Sequence, residues 1–221
     1  SGLEYQILNY ESGTPMQEVI FDSAREKFFD EFAHIWDQSG PSPASDVVLT
    51  FLRKLHIDSA KTVLDVGTGT GLLIPHIFSF HPARVIALDL SAGMLEKLRE
   101  KHSTRFGAGL VILQGDVHLL NLPDTTVDVA VCNGVYPHFR DKSLALSQLH
   151  RVLKKRGVLA VNHFAGREFI NSIHGSSSHD LIRQDLLDPA ATLSETIAGY
   201  GFHVKELRDD TNEFYVIAEK I

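Results

Sequence analysis

The chain has 221 residues, 43% of them apolar and 22% charged, which suits one globular α/β domain or one such domain with a cap. A net charge of −7 without a long basic run argues against nucleic acid as the main partner. The single cysteine, Cys132, excludes an internal disulfide and a thiolate zinc cluster. It lies in a strand-like run, as a buried and inert thiol would, and a reducing cytoplasm is the expected compartment. No apolar run approaches membrane length, and the N-terminus lacks a charged-then-apolar signal pattern. Ser1-Gly2 is set aside as a tag-cleavage scar.

Residues 3–17 carry the breakers Gly13 and Pro15 and are expected as an extended arm. From Glu18 to Gln38, Ile20, Ala24, Phe28, Phe32, Ile35 and Trp36 recur at three- and four-residue spacing, which predicts an amphipathic helix. Gly40-Pro41-Ser42-Pro43 breaks it, and a second helix is expected over about 44–56, with Val47, Val48, Phe51, Leu52 and Leu55 inward.

From Lys61 onward strands and helices alternate, which predicts βαβ units and a parallel sheet. The strands are read at 62–66, Arg84–Leu88, Leu110–Leu113, Val127–Val131 and Val158–Asn162. The helices lie at 71–80, with an early Pro75, after Ser91 as N-cap, and at about 141–155. Lys154, Lys155 and Arg156 are expected to complement the dipole of that last helix, with Gly157 as its left-handed terminus. Residues 164–188 break the alternation and read as an insertion over the sheet edge. Asp188-Pro189 is expected to start a further helix, as N-cap and first position. Strands at Phe202–Leu207 and Glu213–Glu219 then close the chain around Arg208–Asn212. No internal repeat and no second domain boundary is visible.

The stretch that organises this chain is Val63-Leu64-Asp65-Val66-Gly67-Thr68-Gly69-Thr70-Gly71. Glycines let such a turn use positive φ and bring backbone within contact distance of a ligand. The helix that follows turns its unpaired N–H groups toward the same place. A ligand-free glycine turn is the plainer alternative. A dinucleotide fingerprint reads G-x-G-x-x-G, whereas the spacing here is G-x-G-x-G with Asp65 two residues ahead. Asp89, about 20 residues on at a strand end, is placed to accept hydrogen bonds from ribose hydroxyls, a feature that NAD enzymes share.

The turn resembles motif I of the class I S-adenosylmethionine (SAM)-dependent methyltransferases. Gln114-Gly115-Asp116-Val117 with Asn121-Leu122-Pro123 resembles that family's adenine-binding segment, and Phe32–Asp37 is similar to the closing segment of the ubiquinone- and menaquinone-type members. The resemblance covers residues of about 18–220. It implies a Rossmann-like three-layer sandwich with a seven-stranded, mostly parallel sheet whose last strand is antiparallel, plus an N-terminal helical cap. The whole chain is then one domain, with arm and cap at 3–57 and core at 58–221.

The resemblance implies SAM as cofactor, and a site formed by Asp65, Gly67, Thr68, Gly69, Gly71, Asp89, Leu90, Met94, Asp116, Val117 and Asn133. Asp116 would meet the adenine amino group, the Val117 N–H a ring nitrogen, and Leu90 and Met94 the ring faces. Trp36, Tyr136, His138 and His163 would face the acceptor. The loop 133–139 lacks the Asn/Asp-Pro-Pro-Tyr/Phe tetrad of nucleic-acid and glutamine N-methylation, which weakens those substrates. Lys154-Lys155-Arg156-Gly157 departs from the family's Lys-Pro-Gly-Gly turn, away from the site.

Methyl transfer needs in-line alignment and exclusion of water, and a base only where the acceptor must lose a proton. His138 is the first candidate base and His163 the second. His163, His174 and His179 cluster near the insertion, but their spacing matches no tight ligand pattern, so a polar lid is expected rather than a metal site. The expected protein is a monomeric or homodimeric methyltransferase acting on a small-molecule acceptor. A SAM-binding, non-catalytic subunit of the same fold is the alternative, and a nicotinamide dehydrogenase a distant third.

Overall fold

The computed structural model describes residues 21–40 and 42–221. The expected arm at 3–17 and the start of the first helix at Glu18 lie outside the described residues. Helix α1, Ser23–Phe32, opens on Asp22, whose side chain accepts from the Arg25 N–H. It stops well short of Gln38. Residues 33–35 turn, and Trp36–Gln38 form a single 3-10 turn. The break frees Asp37 to accept from the Thr70 hydroxyl at 2.5 Å and to pair with Lys101, bonds that a continuing helix would not supply. Helix α2, Ser45–Arg53, buries Val48, Phe51 and Leu52.

Strand β1, Thr62–Val66, leads through the glycine turn into the short helix α3, Ile74–Phe78. Pro75 lies in the first turn of α3, where its missing N–H has no intrahelical partner to lose. The strand β2, Arg84–Asp89, is followed by α4, Ala92–Phe106, capped by Ser91 through the Met94 N–H. Then come β3, Leu110–Gln114, and β4, Val127–Asn133. Helix α5, Lys142–Val152, ends before the basic run.

Lys154, Lys155 and Arg156 therefore belong to the start of β5, Leu153–His163, rather than to a helix terminus. Lys154 pairs with Asp128 at 2.8 Å instead of with a helix dipole. The left-handed residue here is Arg156, at φ 64, and not Gly157. Gly157 is needed for space, since a Cβ there would lie 2.8 Å from the Lys154 carbonyl oxygen.

The insertion at 164–188 is not a bare loop. It holds α6, Arg167–Gly175, and α7, Asp180–Arg183. Helix α8, Ala190–Gly199, is not capped by Asp188: Pro189 occupies the N-cap position, and the Asp209 carboxylate accepts from the Ala190 N–H at 3.0 Å. Strands β6, Phe202–Asp209, and β7, Phe214–Lys220, finish the chain.

The seven strands order as β3-β2-β1-β4-β5-β7-β6, with β7 antiparallel to both its neighbours and the first five parallel. Because side chains alternate along a strand, the sheet buries two cores. On one face Leu64 and Val66 pack with Leu146 and Leu149 of α5 and Leu193 and Ile197 of α8. On the other, Val63 and Val85 pack with Phe51 and Leu52 of α2, Ile77 of α3 and Leu98 of α4. Strand order reverses between β1 and β4, and in such sheets the crevice beyond the carboxyl ends at that point is where ligands bind.

Candidate active site

A cavity opens at that edge, with about 1000 Å³ of empty space including the solvent at its mouth. Strand ends build its floor: Gly67, Thr68 and Gly69 after β1, Asp89 and Leu90 at β2, Asp116 and Val117 after β3, Asn133 after β4. Met94 of α4 adds an apolar wall, while Asp22, Arg25, Phe29 and Trp36 from the N-terminal segment and His138 from the 134–139 loop close the top.

The glycine turn is shaped by packing as much as by any ligand. Gly67 sits at φ 64, and a Cβ on it would fall 2.3 Å from a methyl of Val135. Only glycine lets this turn and the loop after β4 meet across the crevice. Gly71 has the same role against His102 and Leu98, and it does not line the cavity. Gly69 faces the open side, with only the Trp36 indole nitrogen near a Cβ there, at 3.8 Å.

Three carboxylates stand at three successive strand ends. Asp65 is buried beneath the turn, accepts from the Thr68 hydroxyl at 2.6 Å and shapes the floor without lining the cavity. Burial, with the charge of Asp89 adding to it, pushes its carboxyl up to about 7 against the Thr68 bond. Asp89 lines the cavity and accepts from the Gly69 N–H at 2.7 Å and the Ser91 N–H at 2.9 Å. Burial pushes it up to about 6 despite those bonds. Asp116 differs. Burial pulls it upward too, but the bond and charge of His118, with the N–H groups of His118 and Asp22, outweigh that and hold it below the usual range.

Two expected acceptor contacts are elsewhere. Tyr136, in the 3-10 turn Tyr136–His138, is buried in the core rather than on the cavity wall, with its ring against that of Phe139. His163, at the end of β5, is also buried off the wall. Its Nε2 has no partner among the described residues, and burial, with His138 and His174 adding to it, pushes the ring down to about 3. A neutral imidazole behind the site is not positioned to take a proton from a molecule in the cavity. His179 packs on Phe28 and Phe32, and His174 bonds the Asp185 carbonyl.

His138 does line the cavity, and it comes with partners that the sequence did not single out. Its Nδ1 lies 2.8 Å from Asp185, which follows α7 in the insertion. Asp185 is held in turn by Arg25, and Arg25 also pairs with Asp22 at 2.8 Å. Burial pulls the His138 imidazole below its ordinary value; Asp185 pushes back, and His174 and Arg25 add to the drop. The sequence signal available for this set of residues is slight: one Arg on the buried face of an amphipathic helix and one Asp in the mixed stretch 179–189.

The donor set fits an adenosyl sulfonium. Carboxylates face the cavity, and Arg25, the one arginine among its described lining residues, is already shared between Asp22 and Asp185, so a cationic ligand supplies charge that these walls lack.

Residues 64–161 match the family model described as "Methyltransferase domain". The chain is 36% identical over 103 residues to malonyl-[acyl-carrier protein] O-methyltransferase of Yersinia pestis, covering 47% of this chain and 36% of that protein. It is 32% identical over 124 residues to the rice chloroplastic 2-methyl-6-phytyl-1,4-hydroquinone methyltransferase 2, covering 56% and 33%. The chain spans between 33% and 58% of the length of such curated relatives. In fold the chain is similar to magnesium protoporphyrin IX methyltransferase of Synechocystis, whose crystal structure holds bound S-adenosylhomocysteine (SAH). The TM-score is 0.68 at 17% identity, covering 90% of this chain and 100% of that one.

Proposed function

We propose, from the premise that this chain carries a class I SAM-dependent methyltransferase domain, that it moves the methyl group of SAM to a small-molecule acceptor held in the cavity above β1 and β4. The observation that carries the reading is Asp89 and Asp116, on successive strand ends, lining one cavity with the glycine turn. Asp89 would accept from the ribose hydroxyls with the lone pairs left by Gly69 and Ser91. Asp116 and the Val117 N–H would take the adenine edge, with Leu90 and Met94 on the ring faces and Asn133 beside the reacting end. Gly67, Thr68 and Gly69 would border the methionine part, and Trp36 would close the mouth.

The bound sulfonium supplies an already electrophilic methyl group. What remains for the protein is to hold the acceptor in line and keep water out. Phe29, Trp36 and Val135 provide apolar surface for that, and the acceptor space lies toward His138. The chain acts as one domain in this reading, with α1 and α2 capping the core. The acceptors named for the relatives above differ from one another.

Calorimetric titration with SAH and with NADH tests the cofactor, and release of SAH from SAM in the presence of an acceptor tests turnover. Micromolar binding of SAH with none of NADH is expected, together with acceptor-dependent release. Binding of NADH in preference to SAH would overturn the reading, and SAH binding with no release over a broad acceptor set would leave a non-catalytic SAM-binding protein.

A further inference from the structure

Asp185 is buried, at 6% exposure, and three nitrogens lie within hydrogen-bond distance of its carboxylate. Arg25 gives two, Nη2 at 2.6 Å and Nε at 3.2 Å, and His138 Nδ1 lies at 2.8 Å. Burial raises the Asp185 carboxyl, but its bonds to His138 and Arg25 outweigh that and hold it below the usual range. An ionised carboxylate only accepts, so Nδ1 of His138 carries the hydrogen and Nε2 carries a lone pair. His138 is on the cavity wall, and Nδ1 is the nitrogen turned to Asp185.

The charges count in the same direction. Asp22 and Asp185 share one guanidinium, so one negative charge is left over beside His138. A proton arriving on His138 brings the buried group of four to neutrality. Among the described residues, the other rings packed on His138 are His174, at 4.9 Å between centroids, and Phe29, at 5.3 Å, and His163 is near enough to feel its charge.

We infer that Asp185, clamped by Arg25, is a positioning residue that fixes His138 as proton acceptor, and that the methyl acceptor is the neutral hydroxyl of a phenol or enol. The inference rests on the methyl-transfer reading above. A carboxylate acceptor is already ionised near neutral pH and needs no base. It would also meet Asp22, Asp89 and Asp116 across the cavity, with Arg25 engaged elsewhere. An ammonium acceptor has no lone pair to give, and the negative charge left over beside His138 would hold it protonated. A phenol enters uncharged and must lose its proton to become a good nucleophile. In the balanced step the acceptor O–H proton passes to Nε2 of His138 and the oxygen bonds the methyl carbon. The carbon–sulfur bond breaks with its electron pair left on sulfur. The imidazolium, facing Asp185, later returns the proton to water.

Long-range 1H–15N spectra of protein labelled at histidine read the tautomer directly, with His138→Gln identifying the signal. At a pH above the imidazole range, His138 is expected as the Nδ1–H form in the wild type and in Asp185→Glu, and as Nε2–H or a mixture in Asp185→Asn. An Nε2–H form in the wild type overturns the assignment, and that measurement needs no variant to fold beyond the one that assigns the peak. For the acceptor class, SAM carrying a labelled methyl is incubated with naphthol, naphthoate or naphthylmethylamine, three probes on one ring system. Label is expected on naphthol, with kcat lowered about 100-fold or more in Asp185→Asn while KM and SAH affinity stay within about two-fold. Label on naphthoate or the amine in preference to naphthol, or on none of them, overturns the acceptor class. Failure of the wild type to bind SAH is a different result, because it removes the methyl-transfer reading and leaves the tautomer assignment standing.

Discussion

Arg25 and Asp185 lie 160 positions apart and meet in a two-pronged ion pair, Nη2 on Oδ1 at 2.6 Å and Nε on Oδ2 at 3.2 Å. Each is nearly buried, so the pair joins α1 to the insertion across the top of the cavity. Breaking such a pair from one side leaves an uncompensated charge, here two carboxylates at once. Arg25→Ala is expected to lower stability by about 3–5 kcal/mol, as read by urea denaturation. Arg25→Lys should recover only part of it, because an ammonium cannot span both oxygens of Asp185 and also reach Asp22. Wild-type stability in Arg25→Ala would show that the N-terminal helix is not held by this contact.

For Asp89, the expected effect is on the cofactor. Asp89→Ala should weaken SAH binding by about 1.5–3 kcal/mol in a calorimetric titration, the worth of hydrogen bonds to a charged group. The loss includes the seat of the turn, since Asp89 also holds the Gly69 N–H. Unchanged affinity would take Asp89 out of the site.

Asp65 carries a pH dependence whose sign follows from its burial. Its carboxyl is pushed up to about 7 in the folded chain, against an ordinary value of 3.8. Between those values the folded state holds a proton that the unfolded state has released. Stability is therefore lost as pH rises through that window. Asp65→Asn removes the ionisation and keeps an oxygen for Thr68. The variant should gain on the wild type by roughly 2–3 kcal/mol between about pH 5 and about pH 8. Asp89, at about 6, leaves a residual slope in the lower part of the range. Parallel stability curves for the two proteins would contradict the assignment.

The parts of this protein legible in the sequence are those governed by local periodicity and by order along the chain. The strand–helix alternation and the glycine turn follow from runs of neighbouring residues, and the carboxylates at three successive strand ends follow from counting. What escaped is set by contacts between distant segments. Trp36 keeps helical spacing with Phe32, yet the helix ends at Phe32 because Asp37 finds Thr70 and Lys101 on other elements. Tyr136 and His138 are two residues apart in one turn, and only the fold sends the first into the core and the second to the cavity. Arg25 and Asp185 carried no motif at all.

Trp36 is the chain's single tryptophan, and it stands at the cavity mouth near Gly69. Its indole is 41% exposed, so a ligand closing the mouth changes its surroundings. Titration with SAH should shift or quench the intrinsic tryptophan fluorescence, with the same midpoint as calorimetry. Trp36→Phe should abolish the signal and weaken binding by about 1 kcal/mol or less, in keeping with partial burial of one ring. Saturable SAH binding with an unchanged emission spectrum would place Trp36 away from the ligand.

The slot that β7 occupies has a consequence for synthesis. Residues 214–220 wedge between β5 and β6, so the β5-β7-β6 side of the sheet has no continuous hydrogen bonding until they arrive. A nascent chain that has already made every cavity residue still presents the bare flank of β5 to its surroundings. Closure waits until residues 214–220 have left the ribosome, and until then that flank is a seam through which two partly made copies can zip together.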